Sequence, residues 1–282
     1  ARSLTTRRTQ LIGLVSNNFH NPIFLEVFDL FTRGLQDRGL RPLLVNLSDE
    51  VDPANSVRML RQYSVDGVIV ASSTLPVSFA EAFNSAGVPV VHCFGRHSEN
   101  PRVNTLGINN FAAGQLAAET LLARGYAKIA FMGGPKSATS TQDRCDGFIA
   151  ALQAHSAVSH SISYASAYSF EAGRREMLRL IEAGPAQAYF CGDDVLSIGA
   201  LSAAQTYGLS VPEDIGFLGL NDMEMAQWSN INLTTIHNPI AEVVAKSVDL
   251  VVRILADPSQ PPEPVLFPGH IVERGSLRPI LS

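Results

Sequence analysis

The chain predicts an α/β protein built as two similar doubly wound parallel-sheet lobes, and three observations carry that expectation. Short apolar runs without polar alternation recur along it, amphipathic stretches of helical period separate them, and the alternation starts afresh near VNTLGINNFAAG at 103–114. Uninterrupted apolar runs of this kind suit parallel strands covered by helices on both faces, where neither side of the strand meets water. With 282 residues, 46% of them hydrophobic and 17% charged, the chain is long enough for two cores and ordinary in composition.

The first run, LIGLV at 11–15, leads to Asn21-Pro22, a capping residue followed by a proline that fits a first helical turn. Phe24, Val27, Phe28, Phe31 and Leu35 then fall on one stripe, and Gly39 stands where a left-handed residue ends a helix. LLVNL at 43–47, VIVA at 68–71 and VPVVHCF at 88–94 supply further strands. IAFM at 129–132, AYFC at 188–191 and IGFLGL at 215–220 repeat the pattern, with Gly125 and Gly208 as helix stops. A second stripe, Ile240, Val244, Val248, Val251 and Leu255, precedes the proline-rich ADPSQPPEP at 256–264 and two short strands, VLF and HIVER. Such late elements suggest that the chain crosses back. The expected division is a linker at 1–10, an N-terminal lobe of 11–106 plus 238–270, and a C-terminal lobe of 107–237 plus 271–282.

Composition excludes several functions. A net charge of −5 and a pI near 5.8 give the body no general attraction for nucleic acid, and the basic residues Arg2, Arg7 and Arg8 are confined to the N-terminus. Cys93, Cys145 and Cys191 are odd in number and lack a CxxC pair, which points to a reducing, cytoplasmic setting without a disulfide frame or metal knuckle. No run of about 18 apolar residues suggests a membrane span. GxSxG, HExxH and GxxxxGK[ST] are all absent, and the seven histidines are scattered, His92 within a strand and His155 and His160 in a polar loop. The expectation is therefore a non-enzyme without cofactor or metal; even the adjacent Asp193 and Asp194 lack a third ligand at suitable spacing.

IGLVSNNFHNPIF, VDGVIVAS, INNFAAGQLAAETLLARGYAKIAFMGG, QDRCDGFIAAL, FCGDDVLSIGAL, VPEDIGFLGLND and LTTIHNP occur in one order across nearly the whole chain. Together with the basic opening ARSLTTRRTQ, this series resembles the effector core of LacI/GalR-type bacterial transcription regulators. The resemblance implies a periplasmic-binding-protein-like fold of type I, two lobes joined by three crossovers, and a cleft for a small metabolite between them. It also implies a homodimer that reaches operator DNA only through an N-terminal headpiece not included in these residues. Leu4 matches the hinge leucine that many such regulators wedge into the minor groove.

The same resemblance nominates ligand contacts. Asn17, Phe24 and Ser72 match positions facing the ligand from the first lobe; Arg144, Tyr168, Asp193 and Asn221 match positions in the second. Trp228, the single tryptophan, falls where a cleft edge is expected. Amides, a carboxylate, a guanidinium and aromatic faces suit a sugar, with a purine as the second choice. Asp193 stands where asparagine is more usual and Asn221 where aspartate is, so acid and amide are exchanged. A transporter's sugar-binding protein and an α/β enzyme acting on a sugar or nucleoside are the alternatives.

Overall fold

A computed structural model describes residues 8–17, 19–47 and 52–281. The elements run β1 (Leu11–Ser16), α1 (Ile23–Asp37), β2 (Arg41–Asn46), α2 (Pro53–Gln62), β3 (Gly67–Ala71), α3 (Val77–Ser85), β4 (Val90–Cys93) and β5 (Asn104–Ile108). They continue with α4 (Asn110–Leu122), β6 (Lys128–Gly133), α5 (Thr139–Leu152), β7 (Ser159–Tyr164), α6 (Phe170–Glu182), β8 (Ala188–Cys191), α7 (Asp194–Thr206) and β9 (Gly216–Asn221). A 3-10 turn (Glu224–Gln227), β10 (Thr235–His237), α8 (Ile240–Ala256), β11 (Pro264–Phe267) and β12 (His270–Val272) complete the chain.

The chain divides into unit 1, Ala1–Gly107 with Ile240–Phe267, and unit 2, Ile108–Pro239 with Pro268–Ser282. Three crossovers therefore join them. The last return lies at 267/268, so β12 belongs to unit 2, three residues earlier than the expected boundary after 270.

Each unit carries one six-stranded sheet, ordered β11-β5-β4-β3-β1-β2 in unit 1 and β12-β10-β9-β8-β6-β7 in unit 2. The two orders are the same when each strand is matched to its counterpart. β1 pairs in parallel with both β2 and β3, and β6 with both β7 and β8, so each sheet starts from the strand next to one edge, adds one strand outside it and the rest on the other side. β12 pairs antiparallel with β10.

Strand alternation divides the side chains between the two faces. In unit 2, Ala130 and Met132 of β6 and Tyr189 and Cys191 of β8 join the core beneath α6 and α7. Ile129, Phe131, Ala188 and Phe190 join the core beneath α4 and α5. In unit 1, Val68, Val70 and Val90 pack with Leu60, Phe79 and Phe83 of α2 and α3. Phe31 and Leu35 of α1 and Val248 and Val251 of α8 are buried as their stripes predict.

The helix stops also have the expected chemistry: Gly39, Gly125 and Gly208 have φ of +73°, +70° and +68°. Asn21 Oδ1 accepts the Ile23 N–H at 3.3 Å just ahead of α1, whose cap residue, Pro22, makes no side-chain bond. One local expectation fails. His160 lies on β7 rather than in a loop, because an edge strand with an exposed first half needs no apolar run.

In unit 2, glycines bring paired helices into backbone contact. A Cβ on Gly147 would stand 1.9 Å from the Phe111 carbonyl oxygen, and one on Gly114 2.1 Å from that of Arg144, locking α4 to α5. Gly199 and Gly173 do the same between α6 and α7, where a Cβ would meet the Phe170 and Leu196 carbonyl oxygens at 2.3 and 2.6 Å.

Candidate functional site

In doubly wound sheets, ligands meet the carboxyl ends of the strands, where loops leave for the helices. In unit 1, Asn17 follows β1 and Ser72 follows β3, two neighbouring strands. Ser72 Oγ accepts the backbone N–H groups of Thr74 and Leu75 at 3.2 and 3.1 Å. With both lone pairs used, its hydroxyl donates to Asn17 Oδ1 at 2.8 Å. Thr74 Oγ1 donates to the same oxygen at 3.1 Å.

A second layer stands behind this loop. His92 of β4 is fully buried, and its Nε2 lies 3.1 Å from the Ser72 carbonyl. Burial holds its pKa down at about 4, so the ring is neutral at physiological pH and Nε2–H donates to that carbonyl. Phe24 is also buried, 5.8 Å from Phe28 and edge-on to Phe94 at 6.3 Å between centroids, in an aromatic group that includes Phe19.

In unit 2, Arg144 lies in the second turn of α5 and is 5% exposed. Its Nε donates to Asn110 Oδ1 at 2.8 Å and its Nη1 to the Gly192 carbonyl at 2.5 Å. Asp193, the next residue, caps α7: Oδ1 accepts the Val195 N–H at 2.9 Å, and Oδ2 accepts Asn221 Nδ2 at 2.9 Å. The exchanged acid and amide are thus bonded to each other. Asn221 ends β9 at φ +122°, and its Oδ1 accepts from Asn238 Nδ2 at 3.1 Å.

Beside this chain, Asp194 is wholly buried and accepts from Thr235 Oγ1 at 2.6 Å and from the Met223 N–H at 2.8 Å. Burial outweighs those bonds and pushes its carboxyl up to about 7. Asp222 goes the other way: Arg274 at 2.6 Å and His237 at 3.0 Å more than offset its desolvation and lower its pKa.

The remaining nominees sit differently. Tyr168 is 4% exposed and packed in the core against Gly134, with its hydroxyl 2.6 Å from Thr141 Oγ1. Its ring forms part of the wall. Trp228 is 48% exposed, just beyond the 3-10 turn, with its carbonyl accepting from Ile231 and Asn232 N–H. Leu4 lies outside the described residues. Thr74, His92, Asn110 and Asn238 were not foreseen as site members; the doubly wound rule points only to residues just past each strand, and these four are joined to them by tertiary contacts. A groove of about 1020 Å³ elsewhere in unit 1, lined by Val57, Arg58, Arg61 and Ala82 among others, contains none of the nominated residues. Among the described residues no group of three or more metal-ligating side chains could hold an ion, and no helix is long and apolar enough to cross a membrane.

Two like sheets with fixed polar groups at their strand ends define a periplasmic-binding-protein-like core, and residues 118–277 match the periplasmic binding protein-like domain family. The chain is 30% identical over 285 residues to the HTH-type transcriptional repressor PurR of Actinobacillus pleuropneumoniae serotype 3 (strain JL03), covering 99% of this chain and 84% of that protein. A crystal structure of a LacI-family transcriptional regulatory protein from Corynebacterium glutamicum matches with a TM-score of 0.80 and 25% identity, over 96% of this chain and 100% of that one. The lac repressor dimer bound to operator and the anti-inducer ONPF shares the fold, with a TM-score of 0.86 and 22% identity, over 99% of this chain and 97% of that one. The chain belongs to the LacI family of transcriptional regulators and comprises their effector-binding core.

Proposed function

We propose that this core senses a small polar metabolite, a sugar or sugar derivative; the candidate contacts are Asn17, Phe24 and Ser72 in unit 1 and Arg144, Tyr168, Asp193, Asn221 and Trp228 in unit 2. One observation carries the reading: polar groups at the strand ends of both sheets are already oriented by internal hydrogen bonds, so little side-chain freedom remains to be lost on binding. Tyr168 acts through the wall it builds with Thr141, and Trp228 offers an exposed indole. The family relation supports a regulatory rather than catalytic role, as a homodimer in the cytoplasm, with operator contact made by a DNA-binding headpiece. Leu25 on α1, 79% exposed, and Leu44 on the edge strand β2, 48% exposed, are apolar surface of the kind such a dimer covers.

The effector acts by favouring one arrangement of the two units over another; a ligand with equal affinity for both would shift nothing. Native mass spectrometry with pooled sugars, sugar derivatives and nucleobases tests this. A dimer retaining one unaltered small molecule per subunit is the expected result. A ligand-bound monomer would move the protein to transport, and a chemically converted ligand would make it an enzyme.

A further inference from the structure

Within unit 2, β10 and β12 run antiparallel over three residue pairs, and the last of these sets His237 directly opposite His270. Their neighbours Ile236 and Ile271 pack into the core beneath α4 and α5, so strand alternation turns both imidazoles to the other face of the ladder. There the two ring centroids lie 4.8 Å apart, with 37° between the planes. The His237 side chain is 35% exposed and His270 is exposed, so solvent reaches both rings.

The two rings differ in what holds them. His237 Nδ1 lies 3.0 Å from Asp222 Oδ2. Arg274 donates to the other oxygen of that carboxylate at 2.6 Å and to the Leu233 carbonyl at 2.9 Å, which fixes the carboxylate in place. A carboxylate paired with a guanidinium can only accept, so the His237 proton sits on Nδ1, and in the neutral ring Nε2 presents a bare lone pair. A histidine whose second nitrogen donates to a carboxylate is pre-set as a metal ligand, because that bond fixes the tautomer, orients the ring and makes Nε2 more basic. The His270 ring makes no hydrogen bond among the described residues and is free to turn a nitrogen toward the same point.

The spacing fits one shared ion. Two imidazole nitrogens each about 2.0–2.1 Å from a metal put their ring centroids about 4.5 Å apart at a right angle and about 5.2 Å apart at the tetrahedral angle. The observed 4.8 Å falls between these values. We propose that His237 and His270 form a surface site for a divalent transition ion of the zinc class, with Asp222 and Arg274 orienting His237 from behind. Imidazole nitrogen suits zinc, copper and nickel, whereas magnesium and calcium take oxygen ligands. Two protein ligands leave the rest of the coordination sphere to water, so the ion is exchangeable and not a condition of folding. It ties β10, which is followed by the exit from unit 2 after Pro239, to β12, which follows the return at Pro268. Neither histidine is among the candidate effector contacts, and the site stands apart from that reading.

The test is calorimetric titration of the tag-free chain with zinc chloride and, separately, magnesium chloride, combined with NMR of the histidine rings. Zinc is expected to bind at one ion per chain, with the His237 and His270 ring signals moving together, and magnesium is expected to give no binding. Asp222→Asn leaves both ligands in place and should weaken zinc about tenfold or more. His270→Gln changes an exposed residue of the edge strand, so it should melt like the parent chain while losing at least as much affinity. No zinc binding by the parent chain at millimolar concentration overturns the proposal. So does binding that His237→Gln and His270→Gln leave unchanged, which would put the ion elsewhere.

Discussion

The two units share a strand order but are assembled by different seams. In unit 2 the helix pairs touch backbone to backbone at glycines, whereas in unit 1 a Cβ on Gly34 of α1 would meet only the Val248 side chain of α8, at 3.2 Å. The buried groups whose pKa is moved within the range from about 4 to 7 also differ in kind, an imidazole, His92, in unit 1 and a carboxyl, Asp194, in unit 2. One topology therefore tolerates both side-chain packing and direct backbone contact, and each choice sets a different response to mutation and pH.

The largest effect should come from closing a glycine contact in unit 2. Gly147→Ala forces α4 and α5 apart and is expected to cost about 4 kcal/mol or more, beyond ordinary overpacking, because the obstructing atom is backbone oxygen. Urea unfolding followed by a unit 2 probe checks this. A loss below about 1 kcal/mol would mean that the helix pair slides freely and that the seam is not rigid.

Acid should act on the two units in opposite directions. His92 is lowered from its ordinary 6.5 to about 4, so between these values the unfolded chain binds the extra proton and stability rises with pH. Asp194 is raised from 3.8 to about 7, so in that interval the folded chain holds the extra proton and stability falls as pH rises. The contributions are on the order of 3 kcal/mol for His92 and 4 kcal/mol for Asp194 across their windows. Hydrogen exchange resolved by unit, between pH 4 and 7, should show these opposed slopes. His92→Gln should flatten the first and Asp194→Asn the second, and parallel slopes in the two units would contradict the assignment.

Ion pairs give smaller contrasts. Arg274 is 15% exposed against Asp222 at 18%, and it also bonds the Leu233 carbonyl, so Arg274→Met should cost about 2 kcal/mol in thermal unfolding. Arg38 and Asp249 in unit 1 are 48% and 55% exposed, and Arg38→Ala should cost no more than about 0.5 kcal/mol. Gly34→Ala completes the comparison: a small shift of Val248 offsets the better helix propensity, and stability should stay within about 1 kcal/mol of the parent.

The strands legible from residue order are mainly those buried on both faces, such as β3, β8 and β9, because their apolar runs have no polar interruption. β7 escaped because SHSISY is an exposed edge, and β5 because NTLGI buries an asparagine and a threonine among its apolar residues. At the site, Asn17 and Ser72 could be placed as the residues just past strands. The orientation of the Asn17 amide could not, since it depends on two backbone N–H groups meeting one hydroxyl. The His92 contact with Ser72 was equally hidden: a histidine in an apolar run gives no sign of the carbonyl it meets 20 positions away.

The three crossovers also impose an order in time. The sheet of unit 1 begins at residue 11, but the helix that packs against α1 at Gly34 starts only at Ile240, beyond nearly all of unit 2. At roughly 5–20 residues per second on the ribosome, that helix emerges on the order of ten seconds after β5. Through this interval the face of α1 at Gly34 lacks its partner helix on the nascent chain, while most of the second unit is already available to close. The unit numbered first is thus the one finished late, and a chaperone that masks α1 during synthesis would act on it alone.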